Sequence, residues 1–226
     1  MGRIFKTTPE ESLALFLSFL LGYPIGVKTL EEEYSLGLIT KKQYIFCLCF
    51  SNNCGAAFIF SYLASFPTVG KKGALIIFLS QILSTAAIAR VKQKNSRHPY
   101  ALSAFIPHTS AARLISLSVK DACRNMCHLG GFVLFFSGIC GALSALLPFL
   151  DEDKLYLIFE ISGFFRAGAK SIPLCAFAVG WGGICVYMQS LAISDTLNEM
   201  KSYLFYKVLN GALMALISWV FCKIFL

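Results

Sequence analysis

Apolar residues run along this chain in long blocks separated by short charged clusters. Residues 43–70, 73–89, 126–150 and 171–194 contain no Asp, Glu, Lys or Arg. Each block is near or above the roughly 20 residues needed to cross a hydrocarbon core as a helix. Two further runs, 12–27 and 202–226, have the same character; Lys207 and Lys223 lie near the ends of the second, where long side chains can snorkel to the interface. Lipid offers no partner for free backbone groups, so such runs must be helical, and no alternating barrel pattern is seen. The pattern predicts an all-α integral membrane protein of six or seven membrane segments, some broken or re-entrant.

The breaks are marked by residue type. Gly22-Tyr23-Pro24-Ile25-Gly26 interrupts the first run, because a Pro flanked by two Gly ends a helix. The charged stretch 28–43 follows and suits a short surface helix-turn-helix. The second helix, beginning near Tyr44, carries Ser51-Asn52-Asn53-Cys54-Gly55, poor helix formers that are costly in lipid, which predicts an unwound segment buried in protein. The third is 73–89, followed by a basic loop over 90–98. Residues 110–125 are amphipathic and expected at the interface, with the next helix starting at Met126 and carrying Gly130, Gly131, Gly138 and Gly141 for close helix approach. The segment 155–165 is too short to span and holds Glu160, so it reads as a half-helix or re-entrant hairpin. Gly180-Trp181-Gly182-Gly183 sits in the middle of the helix over 171–194.

Composition supports the same class. The 226 residues are 57% hydrophobic and only 14% charged, against about a quarter charged in a soluble domain; mean hydropathy is +0.68. The net charge of +8 is better explained by the positive-inside rule than by nucleic acid. With the N-terminus outside, thirteen of the twenty basic residues fall on the inner side, and the region from Arg90 to Arg124 is expected to be cytoplasmic. No cleavable signal peptide is evident. The nine Cys, an odd number, lie mostly in apolar runs and read as small hydrophobic side chains.

Residues 47–65 align without gaps on 175–193, at an offset of 128, with Cys47, Gly55, Leu63 and Ala64 matching Cys175, Gly183, Leu191 and Ala192. Each window has a mid-helix break and follows a short apolar segment with its own break, 22–26 in one case and 162–168 in the other. Paired interrupted segments in two halves point to a transporter binding site. The expected organisation is one membrane domain with repeat halves at 12–89 and 126–226, joined by the basic segment 90–125.

The motifs also carry a resemblance. Gly22-Tyr23-Pro24-Ile25-Gly26-Val27-Lys28, the turn ending LITKKQ, and Phe50-Ser51-Asn52-Asn53-Cys54-Gly55 resemble the GYPxGAK, "glitkee" and FCNNSGP-like motifs of the YlbJ/SpoVV sporulation integral membrane proteins, within the gate (nucleoside-recognition) domain superfamily. The stretch from Leu129 to Ser137 is similar to that family's IGGFIILFS helix, Phe159-Glu160-Ile161-Ser162-Gly163 to its LEITxG segment, and Gly182 to Gln189 to its GGLSVHxQ segment. The order of motifs is kept from Gly22 to Gln189. Val27, Ala56 and Tyr187 depart from the family's Ala, Pro and His, and the family has several more helices ahead of the first motif. The resemblance implies endospore formation, a bacterial cell membrane or forespore membrane, and transport of a small anionic metabolite, dipicolinate being the family's proposed cargo.

Candidate substrate-binding residues follow. Asn52 and Asn53 would bind a polar substrate at mid-membrane, or else cap the broken helix. Gly22, Tyr23, Pro24 and Gly26 would expose backbone N–H groups and a helix N-terminus to an anion, with Lys28 close enough to add charge. Gly55 and Gly183 mark the two central breaks. Glu160, the one acidic residue well inside an apolar segment, would face a cavity and take up a proton, or pair with Arg166. Gln189 would add an amide, or make an interhelical hydrogen bond. Cys123, Cys127 and His128 form C-x-x-x-C-H, but no second cluster completes a tetrahedral set, so no metal site is expected. No spacing suggests a catalytic triad, and no enzyme activity or cofactor is expected. Partners expected are a small anionic metabolite, membrane lipid, and a second copy or another membrane subunit. The other readings are a non-transporting sporulation scaffold and a gate-type nucleoside or metal-ion transporter.

Overall fold

A computed structural model describes residues 5, 7–92, 110–165, 170–199 and 202–226 of the chain. Every regular element among them is helical. In order they are α1 (Pro9–Leu21), α2 (Ile25–Ser35), α3 (Lys41–Leu48), a π-helical turn (Phe58–Tyr62) running into a 3-10 turn (Leu63–Ser65), α4 (Gly70–Lys92), α5 (Ala111–Leu146), α6 (Glu152–Phe159), α7 (Ile161–Phe164), α8 (Ile172–Trp181), α9 (Gly183–Leu191), α10 (Thr196–Glu199) and α11 (Tyr203–Phe225).

Local chemistry sets most of the starts. Thr8 and Thr40 each close a reciprocal capping box, with Glu11 and Gln43 respectively, and so begin α1 and α3. Ser110 and Asp151 accept from main-chain N–H groups at the starts of α5 and α6. Pro9 and Pro173 occupy first-turn positions, where the missing N–H costs nothing.

Four stretches are long and apolar enough to cross a membrane: Gly70–Val91, Ala111–Leu146, Ile172–Leu191 and Tyr203–Phe225. They fit a multi-pass membrane protein, and they are fewer than the six or seven segments expected from the sequence. The other two apolar runs are cut short. The first yields an α1 of 13 residues, about 20 Å of rise. The run over 43–70 is divided by the non-helical residues 51–55.

The boundary expected at Met126 is not there. α5 is a single helix of 36 residues from Ala111 to Leu146, because nothing between 111 and 129 is Gly or Pro and the amphipathic stretch has no reason to stop. Most of the basic loop expected after α4 lies outside the described residues.

Two apolar clusters hold the chain together. One joins Ile59, Leu63, Ala74 and Ile77 to Tyr156, Phe165, Val179 and Met214. The other joins Leu15, Val27, Leu30, Tyr44 and Leu48 to Ala86, Ala89, Leu197 and Tyr203. α4 and α11 pass through both clusters. On α4, Ala74, Ile76 and Ile77 belong to one and Ala86, Ile88 and Ala89 to the other, and the buried polar residues Ser80, Gln81, Ser84 and Thr85 lie between them. On α11, Tyr203 and Met214 belong to different clusters, with buried Lys207 and Asn210 between. A polar belt thus lies between the two apolar clusters. α11 packs against α8 at a glycine crossing, where a Cβ on Gly180 would come within 2.7 Å of the Gly211 Cα.

Candidate functional site

Two pairs of chain breaks meet at this belt. In the first, Gly22 adopts φ +90 and a Cβ on it would lie 2.7 Å from the Gly55 nitrogen. A Cβ on Gly26 would overlap the Ser51 carbonyl oxygen. The Gly22–Gly26 corner and the non-helical 51–55 segment therefore touch backbone to backbone, and the glycines are needed for that approach.

In the second pair, Gly182 and Gly183 have φ +77 and +78 and separate α8 from α9. A Cβ on Gly183 would lie 2.9 Å from the Phe159 carbonyl oxygen and 3.4 Å from the Glu160 nitrogen. Glu160 is extended (φ −151, ψ 109) and divides α6 from α7. This break at Glu160 precedes the one expected over 162–168, of which residues 166–168, Arg166 and Gly168 among them, lie outside the described residues; Gly163 lies within α7, packed on the Tyr156 ring. Gly55 and Gly183 each approach the backbone of an earlier segment closely, Gly55 that of Leu21 and Gly22, Gly183 that of Phe159 and Glu160.

Side chains, most of them on the uninterrupted helices α4 and α11, satisfy backbone groups at and near the breaks. Gln81 of α4 donates from Nε2 to the Cys54 carbonyl at 2.9 Å and accepts from the Cys54 N–H at 3.2 Å. Lys207 of α11 donates to the Asn52 carbonyl at 2.8 Å. Asn210 accepts from Ser84 Oγ at 2.6 Å, and its Nδ2 faces the Gly180 carbonyl at 3.4 Å. Trp181 Nε1 donates to the Leu157 carbonyl at 3.0 Å. Non-helical backbone is tolerated at membrane depth only when satisfied in this way.

The predicted residues divide into groups. Asn53 is fully used within the protein: Nδ2 donates to Ser18 Oγ (3.1 Å) and to the Phe50 carbonyl (2.8 Å), and Oδ1 accepts from Thr85 (3.2 Å). Asn52 donates to Ser190 Oγ (2.8 Å) and Tyr203 OH (2.7 Å), but its Oδ1 has no partner among the described residues. The buried Ser51 Oγ and Gln189 Oε1 share that condition, while Gln189 Nε2 donates to Cys185 Sγ at 3.2 Å. Glu160, 3% exposed, caps α7: its carboxylate accepts from the Ser162 N–H (2.9 Å), Ser162 Oγ (2.5 Å) and the Gly163 N–H (2.8 Å).

Tyr23, at the first corner, packs against the apolar cluster that includes Cys54 and Ile161, and the Lys207 ammonium sits 5.9 Å from its ring centroid, inside the range of a cation–π contact. Pro24 turns the chain into α2 as its N-cap residue. Lys28 is not brought to the belt; it faces Glu32 at 3.9 Å one helical turn away, partly exposed.

Lys207 requires a correction. It is 5% exposed and turned inward to Asn52, not snorkelling to an interface. It sits about one turn into α11, on the same buried face of that helix as Tyr203 and Asn210, while Leu204 and Phe205 between them are exposed. Gln81, Thr85, Lys207 and Asn210 are the residues of this site that the sequence reading missed. A signal did exist on α4, where Ser80, Gln81, Ser84 and Thr85 repeat at helical spacing inside an apolar run.

Cys127 and His128 lie away from the belt. With Gly131, Phe132, Phe135 and Ala192 they line an open, mostly apolar cavity of about 470 Å³ beside α5. No group of three or more His, Cys, Asp or Glu among the described residues could hold a metal ion. No family model, curated protein or solved structure matches this chain.

Proposed function

We propose that this chain is a membrane transport protein, or a subunit of one, for a small anionic metabolite. One observation carries the reading. Two pairs of interrupted segments converge on a belt of buried polar and charged side chains, between two apolar clusters, in a chain with four helices able to cross a membrane. Helix interruptions facing each other at mid-depth are how transporters build substrate sites. A membrane scaffold has no need for them.

The parallel contacts of Gly55 with Gly22 and of Gly183 with Phe159 favour the two-fold repeat. With it comes the six- or seven-segment arrangement, in which the half-helices count as membrane segments. The resemblance to the YlbJ/SpoVV family is compatible with the placement of its motifs: the GYPxG corner, the Asn-Asn segment, Glu160 and the Gly182-Gly183 break all reach the belt. On that resemblance the protein acts in endospore formation, in the cell membrane or the forespore membrane, with a dipicolinate-like cargo. A second copy or another membrane subunit would complete its path.

In this reading the cargo enters by separation of the segments that now touch through glycine, one pair opening to each side. Glu160 is held by its α7 cap, and the Asn53 amide is engaged by Ser18, Phe50 and Thr85. Of the belt's polar atoms left unpartnered among the described residues, Ser51 Oγ can donate to an anionic solute, whereas the acceptors Asn52 Oδ1 and Gln189 Oε1 can meet only a donor group or a bridging water. The test is uptake by purified protein in proteoliposomes, with dipicolinate, uridine and ferrous iron offered separately. Dipicolinate uptake above that of empty liposomes is expected. Uptake of uridine or iron in its place would transfer the reading to a nucleoside or metal carrier, and uptake of none would favour a scaffold.

A further inference from the structure

We propose that Lys207 is the specificity-determining residue of this site, the charge that makes it select a carboxylate over a neutral solute; the proposal rests on the transport reading above. Lys207 lies in the polar belt, 5% exposed, with its Nζ 2.8 Å from the Asn52 carbonyl and 5.9 Å from the Tyr23 ring centroid. Among the described residues no carboxylate lies within ion-pair distance of it, unlike Lys28, Lys154 and Lys170, which each face one. An ammonium has three N–H donors, and one of them is accounted for by Asn52.

Closing the break does not require this charge. The Asn52 carbonyl needs one donor, and a neutral amide supplies one at far lower cost than a buried cation. One turn further along α11, Asn210 turns just such an amide toward the Gly180 carbonyl. Position 207 could have been solved in the same way. A buried ammonium without an acidic partner is instead suited to an anion arriving from outside the chain. Two neighbouring features agree. Ser51, next to the bonded carbonyl, has a buried hydroxyl without a partner among the described residues and can donate to the same anion. The face of Tyr23 backs the ammonium without neutralising it.

The mechanism has two states. In the structure described, Lys207 is parked on the Asn52 carbonyl and holds the 51–55 segment closed. With a carboxylate present, its other two N–H groups engage the anion, so binding and the hold on the break share one residue.

The experiment measures binding to purified protein in nanodiscs with two probes of similar shape, dipicolinate and the neutral pyridine-2,6-dicarboxamide. The wild type should prefer dipicolinate. Lys207→Gln should weaken dipicolinate binding roughly ten- to hundredfold, the loss expected for a hydrogen bond to a charged ligand, while leaving the diamide within about threefold. Lys207→Arg should keep the preference. An undiminished preference in Lys207→Gln overturns the role of Lys207 and leaves the transport reading standing. A wild type that binds neither probe overturns both. Should Lys207→Gln not fold, acetylation of Lys207 by a small membrane-permeant reagent in the wild type, read by mass spectrometry, decides. Labelling slowed by dipicolinate is expected. Labelling indifferent to dipicolinate, or none in the empty protein, overturns the proposal.

Discussion

Gln81 binds both main-chain groups of Cys54, donating to its carbonyl at 2.9 Å and accepting from its N–H at 3.2 Å. One side chain on an uninterrupted helix thus replaces the two hydrogen bonds a helix would have given that residue. This is why 51–55 can stay unwound between two apolar clusters.

Gln81→Leu keeps the bulk and apolar character that α4 tolerates but leaves two buried backbone groups without partners. Each costs about 1–3 kcal/mol when orphaned. The variant should therefore insert into membranes and lose several degrees of thermal unfolding midpoint in detergent. Accessibility of Cys54 to a small thiol reagent, low in the wild type where it is 2% exposed, should rise. An unchanged midpoint together with an unreactive Cys54 would show that the clamp is dispensable.

The contact between the first two breaks makes a second prediction. Gly26→Ala would drive a methyl group into the Ser51 carbonyl oxygen and within 2.7 Å of the Ser18 Cβ. Backbone and a short buried side chain cannot yield, so overpacking of about 1–3 kcal/mol is expected. Gly138→Ala is the control, since a Cβ there meets nothing within 4 Å. Folded yield after detergent extraction and the unfolding midpoint should fall for Gly26→Ala and hold for Gly138→Ala. Equal behaviour of the two would refute the close approach of the breaks.

Much of this architecture was legible in the order of apolar runs and punctuating residues. The break at 51–55 follows from Ser-Asn-Asn-Cys-Gly in an apolar context, and the break at Gly182 from three Gly around Trp181, because both signals are local backbone chemistry. The helix run over 111–146 was misdivided, since amphipathicity changes there without any residue that stops a helix. The role of Lys207 was hidden for a different reason. Its position near the start of the last apolar run looks interfacial, and only tertiary packing shows that it lies on the buried face of α11 with Tyr203 and Asn210. Asn53 illustrates the limit of residue type: the same amide serves a ligand or a frame, and its three hydrogen bonds here go to Ser18, Phe50 and Thr85.

The last prediction concerns Glu33, on α2 and outside the four membrane-crossing helices. Its side chain is 6% exposed and Oε2 has no partner among the described residues. Burial first, and then the neighbouring Glu10, Glu11 and Glu32, push its carboxyl from the ordinary value of 4.5 up to about 8. Glu11, in the capping box with Thr8, is pushed up as well, chiefly by burial. The folded Glu33 therefore holds a proton between about pH 4.5 and 8 that the unfolded chain has released. Stability must then fall as pH rises through that window and level off above it, because the folded state binds the extra proton. Glu33→Gln mimics the protonated form and cannot titrate. It should flatten the pH dependence and exceed the wild type in unfolding midpoint at pH 9, with the two converging at pH 5. A shallow slope should remain in the variant from Glu11. Midpoints recorded in lipid nanodiscs from pH 5 to 9 test this directly, and parallel curves for the two proteins would exclude Glu33 as the titrating group.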